Sequence, residues 1–318
     1  MSRRSFSMGF GPATATAIAT AIATAIAMPG CACDGAVPVA TAPQPPAQRP
    51  AVATTDTPEP KTKTKTKRDP GTTNTKTGAE LPPKPVDTVQ YSDAGGLQYL
   101  ERIVGVAEPD DVLPMIVAIH GLGDRPEAFS RLLDNCVEPA RVILPRGIDP
   151  YEGGFSWFAS RARSRDVETL SGEVTVAADV LARGIAAIAK ARPTRGKPIV
   201  TGFSQGGMLT FALAMHHPEV VGTAIPVGGW LPPPLWPKTG PSDTSFPKVI
   251  ALHGTADAAV PYEPTKLAVE ALAALGYDVT LRSFDGVPHA IPPPVARELT
   301  DALQDAVRSA SPKSEPTP

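Results

Sequence analysis

A run of ten residues, Ile199-Val200-Thr201-Gly202-Phe203-Ser204-Gln205-Gly206-Gly207-Met208, constrains this chain more than any other stretch. An apolar segment leads into a serine flanked by glycines, and helix-compatible residues follow. That is the pattern of a strand turning sharply into a helix with the serine at the apex. A serine so placed is strained, and the positions two residues to either side must lack side chains. Gly202 and Gly206 meet that requirement. A helix starting near Gln205 would also present free N–H groups where negative charge can develop. The fold must therefore contain a strand with a helix directly behind it.

The rest of the chain repeats that unit. Residues 97–104 have strand character, and 113–119 form a near-continuous apolar run suited to a strand buried on both faces. Helical spacing follows over 125–135, with Pro126 in the first turn, and 141–144 make a short strand. Residues 167–191 read as a long helix with Val176, Val180, Ile185 and Ile188 as its apolar stripe. The serine-bearing strand and helix span 197–201 and 205–217, with Pro218 ending the helix. Beyond them come strands at 221–227, 248–253 and 279–284, helices at 263–275 and 292–307, and a proline-rich excursion over 231–247. Strands alternating with helices in this way predict an α/β domain, a mostly parallel sheet with helices on both faces.

Composition divides the chain. Residues 1–33 read as an export signal: Arg3 and Arg4 precede an uncharged, mildly apolar stretch from Gly9 to Met28. Ser2-Arg3-Arg4-Ser5-Phe6 resembles a twin-arginine export motif. Met28-Pro29-Gly30-Cys31 resembles a bacterial lipoprotein box, which makes Cys31 a lipidation candidate, while Ala25-Ile26-Ala27 offers ordinary signal-peptidase cleavage. The expectation is an exported, membrane-tethered lipoprotein, or otherwise a periplasmic or secreted protein, and detergent-phase partitioning separates the two. Residues 34–85 are rich in Pro, Thr, Ala and Lys, with an alternating Lys-Thr run from Lys61 to Arg68. So few apolar side chains cannot offset the chain entropy, and a disordered linker is expected. Residues 86–309 then hold one sizeable core, and 310–318 form a tail. A formal net charge of −2 gives no reason to invoke nucleic acid. Cys136 stands alone in the globular part and reads as a small buried hydrophobe.

A serine hydroxyl is a weak nucleophile near neutral pH; it needs a base in reach and a carboxylate to orient that base. In sheets of this kind functional groups gather on loops at the carboxyl ends of strands. Asp257 follows the strand at 248–253, and His289 follows the strand at 279–284. The chain order Ser204, Asp257, His289 is that of the α/β-hydrolases. Asp278 and Asp285 are rival carboxylates, but the first opens a strand at the wrong end and the second lies only four residues before the histidine. His216 and His217 end a helix, where partial positive charge suits the helix dipole. His120 and His253 precede glycines at strand ends and read as loop-shaping residues. Two backbone N–H groups complete the set as oxyanion donors: Gln205, just after the serine, and Leu122 in His120-Gly121-Leu122-Gly123-Asp124.

His120-Gly-Leu-Gly-Asp124, Phe155-Ser-Trp157-Phe158, Gly202-Phe-Ser-Gln-Gly-Gly207, His253-Gly-Thr-Ala-Asp257 and Gly286-Val-Pro-His289, in this order, resemble the phospholipase/carboxylesterase family of α/β-hydrolases. That family contains bacterial carboxylesterases and acyl-protein thioesterases. The resemblance implies Ser204, Asp257 and His289 as catalytic residues, Leu122 and Gln205 as the oxyanion hole, and Trp157 as an acyl-pocket residue. Ala159 stands where an aspartate is common in the family, and the exported N-terminus departs from its many cytosolic members. The expected partner is a small-molecule ester of small or medium acyl length, with thioesters and lysophospholipids within the same chemistry. The proposed reaction needs neither metal nor organic cofactor. The shortness of the 231–247 excursion implies no large lid. A serine peptidase of the same fold and a non-catalytic tethered domain are the alternatives.

Overall fold

The computed structural model describes residues 89–242 and 246–310. The export signal, Cys31, the 34–85 linker and residues 311–318 lie outside the described residues. The elements run β1 (Ser92–Ala94), β2 (Leu97–Val104), β3 (Met115–Ile119), α1 (Pro126–Phe129), β4 (Ala140–Pro145), β5 (Asp149–Tyr151) and β6 (Gly154–Ser156). They continue as α2 (Val167–Ala191), β7 (Ile199–Phe203), α3 (Gln205–His216), β8 (Thr223–Val227), β9 (Lys248–Gly254), α4 (Tyr262–Ala274), β10 (Val279–Phe284) and α5 (Pro293–Ala310).

Eight strands make one sheet in the order β1-β2-β4-β3-β7-β8-β9-β10. The pairs β1–β2 and β2–β4 are antiparallel, and every pair from β4 across to β10 is parallel. The core shows why these runs are strands. On β3, Met115, Val117 and Ile119 enter the layer with α2, α3 and α4, while Ile116 and Ala118 enter the layer with α1 and α5. All five are buried, so a strand covered on both faces needs no polar alternation. On α2, Leu170, Val174, Leu181, Ile185 and Ile188 are all fully buried. Each such side chain contributes on the order of 1.5–3 kcal/mol relative to exposure. Asp166 starts this helix, its carboxylate accepting the Thr169 N–H at 3.0 Å.

Several expectations change. Val176 points to solvent at 63% exposure and Val180 is only half-buried; the buried stripe of α2 runs through Val174, Ala177, Ala178 and Leu181 to the expected Ile185 and Ile188. The 125–135 helix is a single α-turn continued by a 3₁₀ turn at Ser130–Leu133. The last helix extends to Ala310, the first residue of the expected tail. The β5–β6 hairpin has no counterpart in the sequence reading. Its turn places Glu152 at φ 44° and Gly153 at φ 82°. A two-residue turn with both φ values positive favours Asn-Gly or Asp-Gly, and Glu-Gly hides that signal. The excursion after β8 is pinned to the helical layer: Leu231 and Leu235 are buried, Trp236 donates to the Leu231 carbonyl at 2.7 Å, and His216 Nε2 bonds the Leu235 carbonyl at 2.9 Å. Burial pushes the His216 imidazole below its ordinary pKa, so this ring serves packing and not the helix dipole. Cys136 is buried and its thiol is pushed up to about 11 by that burial, as a small core hydrophobe requires.

The strand order reverses between the parallel neighbours β3 and β7. The chain leaves β3 for β4 on one side and later returns as β7 on the other. Their carboxyl ends therefore open a crevice, the place where sheets of this type bind ligands.

Candidate active site

Ser204 sits at that crevice with φ 59° and ψ −116°, a conformation that L-residues rarely adopt. Its own backbone holds it there: the Ser204 N–H donates to the Val227 carbonyl at 3.0 Å, and its carbonyl accepts the Met208 N–H at 3.0 Å. The flanking glycines are required by space. A Cβ on Gly202 would stand 2.5 Å from the Gly206 carbonyl oxygen, and one on Gly206 would lie 2.7 Å from the Ile119 carbonyl carbon. The tight turn thus lets α3 approach both β7 and β3.

His289 lies between the serine and the aspartate. Its Nε2 is 2.9 Å from Ser204 Oγ, and its Nδ1 is 2.7 Å from Asp257 Oδ2. Because a carboxylate only accepts, Nδ1 carries the proton and Nε2 is free to take one from the serine. Phe203 stacks on the imidazole with ring centroids 4.6 Å apart. Asp257 is buried beneath, and its Oδ1 accepts the Ala259 and Val260 N–H groups at 2.9 and 2.8 Å. Burial alone would raise this carboxyl, but the nearby His253 imidazole, 3.4 Å away, and hydrogen bonds from His289 and Val260 hold it well below the usual carboxylate range. The rival Asp285 instead accepts from the Thr255 hydroxyl at 3.1 Å.

A cavity of about 340 Å³ opens over Ser204 and His289. Leu122 and Gln205 both line it, together with Gly121, Phe203, Met208 and Val260, and Asp124 and Arg161 supply its charged groups. Met208 N–H makes the first i→i−4 bond of α3, so the N–H groups of Gln205 to Gly207 have no intrahelical acceptor. The Leu122 loop is held by the unforeseen hairpin: Gly123 N–H donates to the Phe155 carbonyl at 2.8 Å, and Phe155 N–H to the Asp124 carbonyl at 3.0 Å. Gly154 allows that approach, since a Cβ there would lie 2.7 Å from the Asp124 carbonyl oxygen.

Trp157 does not line the cavity. It is 2% exposed, and its indole N–H donates to the His120 carbonyl at 2.9 Å. It packs below the loop in place of lining the pocket, because the hairpin directs it inward. The Gln205 side chain is equally committed. Its Nε2 donates to the Phe158 carbonyl at 2.8 Å, and its Oε1 accepts the Trp157 N–H at 3.0 Å. The elbow and the hairpin are thus tied through one buried amide. His120 completes the support: Nδ1 donates to the Gly121 carbonyl at 2.7 Å and Nε2 accepts the Gly147 N–H at 3.0 Å. Burial lowers its pKa, which keeps this doubly bonded ring neutral.

The sequence pattern described as Phospholipase/Carboxylesterase matches residues 102–306. Acyl-protein thioesterase 1 of Gibberella zeae is 26% identical over 211 residues, covering 59% of this chain and 88% of that protein. Among solved structures, esterase PE8 superposes with a TM-score of 0.55 at 20% identity, covering 64% of this chain and 99% of that one. A carboxylesterase from Mesorhizobium loti gives 0.54 at 21% identity, covering 67% and 96%. These structural likenesses establish an α/β-hydrolase fold.

Proposed function

This chain belongs to the phospholipase/carboxylesterase family and is a hydrolase of esters, and from that premise we propose that it acts through Ser204, His289 and Asp257 by way of an acyl-enzyme. The observation that carries the reading is the continuous line of short contacts, 2.7 Å from Asp257 to His289 and 2.9 Å from His289 to Ser204, beneath an open cavity. Ser204 Oγ attacks the ester carbonyl carbon as its proton passes to His289 Nε2. The developing oxyanion accepts the Leu122 and Gln205 N–H groups; one such donor is worth roughly 10²–10³ in kcat. Collapse breaks the bond to the leaving alcohol or thiol, which takes the proton from His289. Water then attacks the acyl-enzyme, giving a proton to the same imidazole, and the carboxylic acid leaves as Ser204 regains its hydrogen. Asp257 holds the ring in the productive tautomer and stabilises the imidazolium. The apolar side chains of Leu122, Phe203, Met208 and Val260 around the serine suit a small or medium acyl chain.

The test pairs a fluorophosphonate probe with a substrate panel. Ser204→Ala should abolish covalent labelling and p-nitrophenyl ester turnover, and the parent should cleave esters in preference to aminoacyl anilides. Labelling that persists in Ser204→Ala refutes the nucleophile, and faster anilide cleavage assigns a peptidase.

A further inference from the structure

His253 has no part in the mechanism above, yet it lies against the acidic residue of that mechanism. It sits near the end of β9 with its side chain wholly buried, four residues before Asp257. Its Nε2 is 2.9 Å from the Val260 carbonyl oxygen and 3.4 Å from Asp257 Oδ2. Both neighbours only accept, so Nε2 carries the proton. Its Nδ1 is buried and has no hydrogen-bond partner among the described residues. A proton there would be stranded, so the ring is the neutral Nε2–H tautomer. Burying an unpartnered ring nitrogen costs free energy that an apolar side chain of the same shape would not. Packing against Tyr262, which meets the ring edge-on at 5.9 Å, needs only an aromatic ring and does not explain the imidazole.

What the imidazole adds is one donor aimed at both ends of the turn that holds the carboxylate. The loop from Asp257 to Val260 is closed on one side by the Ala259 and Val260 N–H groups on Oδ1. On the other side the Val260 carbonyl points back to His253. The same N–H lies beside Oδ2, the oxygen that receives His289. We propose that His253 is a positioning residue for the reaction: its Nε2–H fixes the Asp257–Val260 turn and shares Oδ2 with His289, setting the direction and charge of the carboxylate that orients the catalytic imidazole. The assignment rests on the Ser204–His289–Asp257 reading.

Three substitutions test it. His253→Phe keeps the ring and loses the donor; His253→Asn keeps an amide too short to reach Val260; His253→Gln carries a donor near the position of Nε2. Kinetics on a p-nitrophenyl ester, its pH profile and thermal melts are measured for each, beside Asp257→Asn. His253→Phe and His253→Asn should lose about tenfold in kcat, equivalent to 1.4 kcal/mol, with KM within about twofold. His253→Gln should recover most of it. With Oδ2 no longer shared, the carboxylate draws the His289 proton more strongly, so the acid limb of kcat/KM should move to higher pH in the first two variants. Turnover and acid limb unchanged in His253→Phe and His253→Asn overturn the assignment. So does a parallel loss of melting temperature and activity in all three, which marks a packing role. Full turnover by Asp257→Asn overturns the triad and this assignment with it; an inactive Asp257→Asn beside a fully active His253→Phe removes only the latter.

Discussion

Adding one methyl group at Gly206 is predicted to impair both chemistry and folding. A Cβ there would stand 2.7 Å from the Ile119 carbonyl carbon and 2.9 Å from the His120 oxygen, with the Ile119 oxygen nearer still. All three are backbone atoms of β3 and the loop after it, so no flexible side chain can give way. Carbon contacts are comfortable near 3.5–4.0 Å, and relief therefore requires a displacement of about 1 Å. That shift falls on Ile119 and His120, directly before Gly121 and Leu122. A misplacement of about 1 Å at a reacting centre costs on the order of 10²-fold in rate. Overpacking of this kind costs roughly 1–3 kcal/mol of stability, which lowers the melting temperature of a domain this size by about 2–12 °C. Gly206→Ala should accordingly lose about 100-fold in kcat/KM on a p-nitrophenyl ester and melt earlier. Gly172 provides the internal contrast. It lies exposed on α2, and a Cβ there meets nothing within 4 Å. Gly172→Ala should therefore gain about 0.5–1 kcal/mol and leave turnover unchanged. Gly206→Ala with kcat/KM within about threefold of the parent and an unchanged melting temperature would refute the reasoning.

Two further outcomes follow from the supporting groups. Gln205→Ala retains the backbone N–H but leaves the buried Trp157 N–H without its acceptor, while the Phe158 carbonyl keeps the Ser156 hydroxyl; at about 1–3 kcal/mol for the one orphaned group, calorimetry should show a clear loss of stability, with kcat reduced yet measurable. The buried rings of His120 and His216 resist protonation in the folded state, whereas the unfolded chain takes up those protons near pH 6.5. Their contribution to stability is complete above that pH and declines below it, and the depressed Asp257 carboxyl adds a second loss only in strong acid. Melting temperatures should fall from about pH 6.5 downward, and a flat profile between pH 7 and 5 would count against this account.

The parts legible in the sequence were those governed by local rules. Gly202 and Gly206 announce the elbow because their spacing around Ser204 is local: a Cβ on Gly202 would meet the Gly206 carbonyl within the same strand-turn-helix unit, although the backbone that Gly206 must clear belongs to β3. The all-apolar run of β3 announces a strand covered on both faces because side chains alternate with period two. The order Ser204, Asp257, His289 follows from strand ends, since a parallel sheet delivers its loops to one edge. Val176 lies beside the buried Ala177 on α2, where the apolar spacing admits more than one stripe.

What the tertiary structure decided are contacts that join distant segments, for which no local pattern exists. Trp157 bonds the loop of β3 across 37 residues, and Gln205 bonds Trp157 across 48. Whether that indole faces a pocket or the core depends on a hairpin whose Glu-Gly turn carries little sequence signal. His253 reads as an ordinary loop histidine until the Asp257–Val260 turn folds back upon it. The sequence therefore determined the fold and the order of the reactive groups, through backbone sterics and side-chain periodicity. The packing of separated elements determined how those groups are held, because only in three dimensions do the donors and acceptors that hold them meet.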